Sequence, residues 1–232
     1  MKTMTLTLRV LAHLLSYPDA ALRGHLGEMR DALRAERALS FGRLAELDLL
    51  LDRLGSPRTL DTEANYVELF DRGRGTALHL FEHVHGDSRD RGPAMIDLIK
   101  TYEEAGLYLG DSELPDHLTV VLEYASTQPP AQAREFLREI AHILQVIFSA
   151  LLKRQSAYAS VVAAVLDLAG EKAQTVKLPE EPELDESWEE PLAFGGCSTQ
   201  GQAAPGQPQP IQVMKRPPTQ AAVPTPLPGA RA

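Results

Sequence analysis

The sequence predicts an all-α protein: a single globular helical domain of about eight or nine helices over residues 1–170, then a disordered Pro-rich C-terminal tail over 171–232. Three observations predict it. Apolar residues recur at steps of three and four through the first 170 residues, which places them on one face of successive helices. Period-two alternation, the mark of a half-buried strand, is nearly absent. Eleven of the 17 prolines fall after Gly170, where helical patterning stops.

Each element follows from its own pattern and punctuation. Leu6, Val10, Leu11, Leu14 and Leu15 make the first stripe, and Ser16-Tyr17-Pro18-Asp19 ends it. Leu22, Leu26, Met29 and Leu33 form the second. Phe41, Leu44, Leu47, Leu51 and Leu54 form the third, closed by Gly55-Ser56-Pro57. Asp61 is the expected cap of a fourth helix carrying Ala64, Val67 and Phe70. Gly73, Gly75 and Gly86 bracket a shorter helical piece. Pro93 suits the first turn of the next helix, with Met95, Ile96, Ile99 and Tyr102, and Gly106 ends it. Pro115 opens DHLTVVLEYAS, and Gln128-Pro129-Pro130 breaks the chain again. From Ala131 to Leu152 one long stripe is expected, through Leu137, Ile140, Leu144, Ile147 and Leu151. A last helix runs from about Ser156 to Leu168, with Gly170 as its stop. In the tail, residues 180–190 hold seven acids in eleven positions. Such a composition buries too little apolar surface to offset chain entropy. Trp188, Pro191 to Phe194 and Pro210 to Met214 interrupt it as apolar islands.

Bulk chemistry narrows the function classes. With 23 Lys and Arg against 32 Asp and Glu, net charge −9, the chain lacks the basic stripe that a phosphate backbone demands, so no nucleic-acid partner is expected. The single Cys197 forms no internal disulfide and calls for no oxidising compartment. No run of about 18 apolar residues exists, so no membrane span is expected. Arg9 and His13 interrupt the apolar N-terminus, which speaks against a signal peptide. A cytoplasmic protein is the expectation.

Three site chemistries compete. His79 and His83 are four apart, which on a helix is the spacing of two metal ligands, with His85, Glu82 and Asp87 nearby. The order His79-Leu-Phe-Glu82-His83 is not the zincin order, and no third ligand is evident. Catalysis lacks a nucleophile context: there is no G-x-S-x-G, and Gly73-Arg74-Gly75 is no phosphate loop. The third chemistry is binding. Tyr66, Leu69 and Phe70 share a helical face, while Asp116, His117 and Glu123 sit at and after another helix start. Apolar groups beside convergent polar ones suit a groove for a peptide helix. Spacing alone favours a plain core stripe for Tyr66, Leu69 and Phe70 over a groove wall, since core is the usual fate of such a stripe.

Specific segments carry a family resemblance. Glu63-Ala-Asn-Tyr-Val-Glu-Leu-Phe70, then HLFEHVHGDSRDRGPAMIDL, then Leu114-Pro-Asp-His-Leu118 with Leu122-Glu123-Tyr124 resemble the nitrate reductase assembly chaperones, the NarJ or delta-subunit family. The likeness covers about residues 4–170 and returns at Trp188 to Phe194 and Gln209 to Val213. It implies an all-α chaperone with no catalysis and no cofactor of its own. The implied partner is the apo catalytic (alpha) subunit of respiratory nitrate reductase, met through its N-terminal peptide, with the alpha–beta complex and cofactor-delivery proteins as further candidates. The chaperone would keep that subunit competent for molybdenum cofactor and iron-sulfur insertion before membrane attachment. Tyr66, Leu69 and Phe70 match the family's apolar pocket motif, Asp116 and His117 its Pro-Asp-His motif, and His79, Glu82 and His83 the nitrate reductase branch. A chaperone for a dimethyl sulfoxide or trimethylamine oxide reductase, or a metal-dependent enzyme built on His79 and His83, are the alternatives.

Overall fold

The computed structural model describes residues 3–85, 88–110 and 113–178. Among them are eleven α-helices, one π turn and one 3-10 turn, and no strand. The expected helix count rises because two predicted helices are each split. The second becomes α2 (Ala20–Gly24) and α3 (Leu26–Glu36), hinged at His25. The long one becomes α9 (Pro130–Glu139) and α10 (Ala141–Lys153), with Ile140 between them. Neither break carries an internal Pro. The break at Ile140 lets two apolar stripes turn onto different neighbours: α9 packs on both α11 (Ala159–Ala169) and α8 (Leu118–Thr127), whereas α10 packs on α11 and on the 3-10 turn Arg74–Thr76.

Helix α11 is the centre of the molecule. Every residue from Ala159 to Ala169 is buried except Asp167, which is how a helix apolar on all sides must sit. It lies against α9, α10, α4 (Phe41–Leu54) and α1 (Thr5–Leu14), and α1 in turn packs on α8 and α3. Asp167, at the rim, accepts Arg43 Nε at 2.8 Å and ties α11 to α4.

Helix starts are satisfied by different means. Asp19 accepts Leu22 N at 2.8 Å, and Ser40 accepts Arg43 N at 3.2 Å. The first turn of α1 has no local cap. Glu36, from the end of α3, accepts its Leu6 and Thr7 N–H groups instead. Asp61 is not the cap expected of it: α5 (Thr59–Tyr66) starts two residues earlier, so Asp61 stands in the first turn, where its charge favours the helix dipole.

The chain leaves α11 through Gly170, whose φ of 85° closes the helix with Glu171 N bonded to Leu166 O. The tail does not leave the domain at 171 as expected. Residues 171–178 run back along α10: Gln145 Nε2 donates to Lys172 O, Gln174 N to Gln145 Oε1, and Val176 N to Ser149 Oγ. The islands at Trp188, 191–194 and 210–214, and Cys197, lie outside the described residues.

Candidate functional site

The first site segment is built on a change of helical pitch. After α5 the backbone widens into a π turn, Val67–Asp71, and then tightens into the 3-10 turn at Arg74–Thr76. Thr76 Oγ1 donates to Leu69 O, a carbonyl of the widened turn, while the Thr76 backbone N–H donates to Gly73 O at 3.0 Å. Gly73 is required by space. A Cβ there would lie 2.5 Å from both Leu69 O and Thr76 Oγ1.

This turn points Tyr66, Leu69 and Phe70 inward. They are 7%, 4% and 7% exposed, so the open apolar slot expected of them is absent from this conformation. Burial wins because partners are available. The Tyr66 ring meets Phe70 at 4.9 Å and Tyr17 at 5.6 Å, and Phe70 meets Tyr158 at 5.0 Å. Tyr66 Oη donates to Leu15 O at 2.8 Å, so its polar atom is satisfied. Burial, and then Asp71, push that hydroxyl up to about 12.

Past Thr76 the chain meets the second segment, 37 residues on. His79 and His117 form an antiparallel bridge, with Leu118 N donating to Leu78 O at 2.8 Å and Leu80 N to Asp116 O at 3.0 Å. The Asp116 side chain, fully buried, is the hub of this junction. Its Oδ2 accepts the N–H of Phe81 at 3.1 Å, in the first turn of α6 (Leu80–Val84), and its Oδ1 accepts His79 Nδ1–H at 3.3 Å. Arg91, opening α7 (Arg91–Glu104), reaches Asp116 at 3.8 Å and Glu82 at 3.9 Å. Burial opposes the carboxylate's charge, but His79, the Phe81 N–H and Arg91 outweigh it and hold Asp116 below its ordinary value. The hydrogen bond to Asp116 raises His79. His117, edge-on to His79 at 4.9 Å and bonded to Thr119 Oγ1 at 2.6 Å, is lowered to about 4 by burial and then by His79.

Chemically this is a structural pin. Asp116 spends its acceptors on α6, His79 and α7 and has no face toward solvent, so it offers nothing to a partner's basic groups. His79 precedes α6 with extended backbone, so it does not share a helix face with His83 as the metal spacing supposed. His83 Nε2–H instead donates to Ala77 O at 2.9 Å. Among the described residues no cluster of three or more His, Cys, Asp or Glu is arranged to hold a metal.

The structure therefore brings together His79, Glu82, His83, Asp116 and His117. Tyr66, Leu69 and Phe70 lie behind them in the core; Asp71, beside Phe70, is near enough to bias His117 toward its protonated form. Glu123 stands apart, exposed on α8, on the wall of a cavity of about 190 Å³. Sequence reasoning missed Phe81, whose contribution is a backbone N–H, and Arg91, whose partner lies 25 residues away. It also missed Tyr102, whose hydroxyl donates to Pro115 O at 2.8 Å and fixes the loop before Asp116. On the surface, Val84 is 50% and Ile96 55% exposed. Helix α7 buries only Tyr102 completely, leaving Met95, Leu98 and Ile99 half-covered.

Residues 18–164 match the family model described as nitrate reductase delta subunit. The nitrate reductase molybdenum cofactor assembly chaperone NarJ of Escherichia coli strain K12 is 44% identical over 191 residues, covering 78% of this chain and 81% of that protein. The same organism's "Probable nitrate reductase molybdenum cofactor assembly chaperone NarW" is 40% identical over 163 residues, 70% of this chain and 68% of its own. Among solved structures, a proposed redox enzyme maturation protein from Archaeoglobus fulgidus superposes with a TM-score of 0.51 at 20% identity, over 74% of this chain and 96% of that one. That last likeness speaks to the fold alone.

Proposed function

Because this chain belongs to the nitrate reductase delta subunit family, assembly chaperones rather than enzymes, we propose that its client is the apo catalytic subunit of a respiratory nitrate reductase. The chaperone binds the client's N-terminal peptide in the cytoplasm and holds the subunit open for molybdenum cofactor and iron-sulfur cluster insertion, ahead of membrane attachment. Among the described residues no helix is long and apolar enough to cross a membrane.

One observation carries the placement of the site. The Asp116 junction locks α6, α7 and the start of α8 together while leaving apolar side chains uncovered on them: Phe81 half-exposed, Val84 and Ile96 more so. An amphipathic peptide laid on this surface would cover those groups. His79, Glu82, His83 and His117 would supply the polar rim around an apolar centre. Tyr66, Leu69 and Phe70 serve the site from beneath, holding the turn that aims residues 74–85 at Asp116. Each large apolar side chain covered is worth about 1.5–3 kcal/mol before ordering costs, which suits a grip that is later released. The test is affinity capture of the tagged full chain from nitrate-respiring cells, with and without a block in molybdenum cofactor synthesis. The apo catalytic subunit should dominate the bound chains when the cofactor is withheld; its absence from both samples removes the client.

A further inference from the structure

The cavity that holds Glu123 has its own chemistry. Two aromatic rings line it, Tyr102, 2% exposed, and Tyr124, 4.8 Å apart, and Phe136 packs against Tyr124 at 5.0 Å from outside the lining. Leu107, Leu109 and Val120 line the sides, and Tyr108, 80% exposed, stands at the mouth. A cavity of about 150 Å³ holds a benzene ring, so about 190 Å³ takes one long side chain and not a helix. Two carboxylates sit on the wall. Glu123 is exposed, and its carboxylate has no ion pair or hydrogen bond among the described residues. Among the described residues the Glu113 carboxylate accepts only the Gly110 N–H, at 2.9 Å. Glu104, at the end of α7, is close enough for its charge to reach the Tyr124 hydroxyl. Among the described residues the one cation on the wall is Arg9, which donates to Ser126 Oγ at 3.4 Å and pairs with no acid.

An apolar, ring-lined cleft with uncompensated carboxylates at its edge is complementary to a side chain that is a hydrocarbon stem ending in a cation. We propose that this cleft is a docking site for an arginine or lysine side chain of the client polypeptide, its stem against Tyr102 and Tyr124 and its charge at Glu123 and Glu113. The cleft opens where α8 continues from the Asp116 junction, so one peptide crossing the exposed apolar surface of α6 and α7 is anchored at a second point. The anchor sets register: an apolar surface alone grips a peptide in several positions, whereas one seated cation selects a single position.

The assignment rests on the client reading above, and titration calorimetry separates the two. The full chain is titrated with overlapping synthetic peptides covering the N-terminal segment of the nitrate reductase catalytic subunit. The same titrations are run on Glu113→Gln/Glu123→Gln, and with each peptide Arg or Lys replaced in turn by norleucine. The double variant should bind about fivefold more weakly at low salt, the scale of a partly exposed ion pair, and should lose most of its salt dependence. One peptide substitution should cost the wild type as much and the double variant nothing. Equal affinity of wild type and double variant, or equal cost of every peptide substitution in both, overturns the cleft while the client reading stands. No binding of any peptide to the wild type overturns the client reading and the cleft with it.

Discussion

The carboxylate of Asp116 accepts the backbone N–H of Phe81 at 3.1 Å, across 35 residues of sequence. That bond fastens the start of α6 to the start of α8. With His79 and Arg91 on the same carboxylate, it makes one buried charge the common support of three surface helices.

Removing that support should be costly. Asp116→Ala leaves the Phe81 N–H unpaired and His79 and Arg91 facing an empty site. Breaking a buried charge network by deleting one partner costs about 3–5 kcal/mol. Asp116→Asn keeps an acceptor and should lose about half as much. Chemical denaturation monitored by circular dichroism measures both; an Ala variant within about 0.5 kcal/mol of wild type would show that the junction bears no stability.

The histidines give the junction a pH signature. His117 is lowered from 6.5 to about 4. Between those values the unfolded chain holds this proton and the folded chain does not, so stability falls as pH drops from 6.5 toward 4. His79 is raised and acts oppositely: its contribution is present below 6.5 and fades as pH climbs through its folded value. Asp116 is lowered, so its contribution is present above its unfolded value and is lost as pH falls through the folded one. Subtracting the profile of His117→Gln from that of wild type isolates the first effect. The difference should change by about 1 kcal/mol per pH unit below 6.5. Parallel profiles would place His117 in water.

Gly73→Ala tests the turn. Its Cβ has no room against the Leu69 carbonyl and the Thr76 hydroxyl, and a backbone atom cannot step aside cheaply. A loss of about 2–3 kcal/mol is expected, in the upper range for overpacking. Thermal unfolding reads it directly, and an unchanged midpoint would contradict the crowding of Gly73 by Leu69 and Thr76.

The sequence made the helices legible because their information is local: apolar periodicity, Pro18, Pro57 and Pro129–Pro130 as stops, Gly170 as a cap. The hinges at His25 and Ile140 were not legible. The one at Ile140 is set by which neighbours the two half-helices find, and nothing at either residue signals a break. The site was half legible. Tyr66, Leu69 and Phe70 share a face as the spacing says, but spacing cannot tell an inward face from an outward one, and the aromatic partners Tyr17 and Tyr158 come from distant segments. Asp116 and His117 stood out as a motif, and motif alone suggested that Asp116 meets the client. Its burial under residues from α6 and α7 is a tertiary fact. The pairing of His79 with His117, rather than with His83, is likewise invisible without the chain path.

Burial of Leu69 and Phe70 changes what their substitution means. Leu69→Ala and Phe70→Ala should each destabilise the domain by about 3–5 kcal/mol through lost transfer energy and a residual cavity. Any loss of client affinity in these variants should track the unfolded fraction. Guanidinium melts of each variant beside binding at matched folded fractions separate the effects; affinity lost in a fully folded Phe70→Ala protein would mean that the peptide reaches the core.

The docking surface proposed above is the exposed side chains of α6 and α7. The most direct measurement is calorimetry of the client's N-terminal peptide with wild type and with Val84→Asp/Ile96→Asp, each paired with a thermal melt. At 50% and 55% exposure both positions tolerate a charge, so the melting midpoint should stay within a few degrees of wild type, while affinity falls at least about tenfold from lost apolar cover and a new desolvation cost. Undiminished affinity in a variant that melts like wild type would put the client somewhere other than the surface pinned by Asp116.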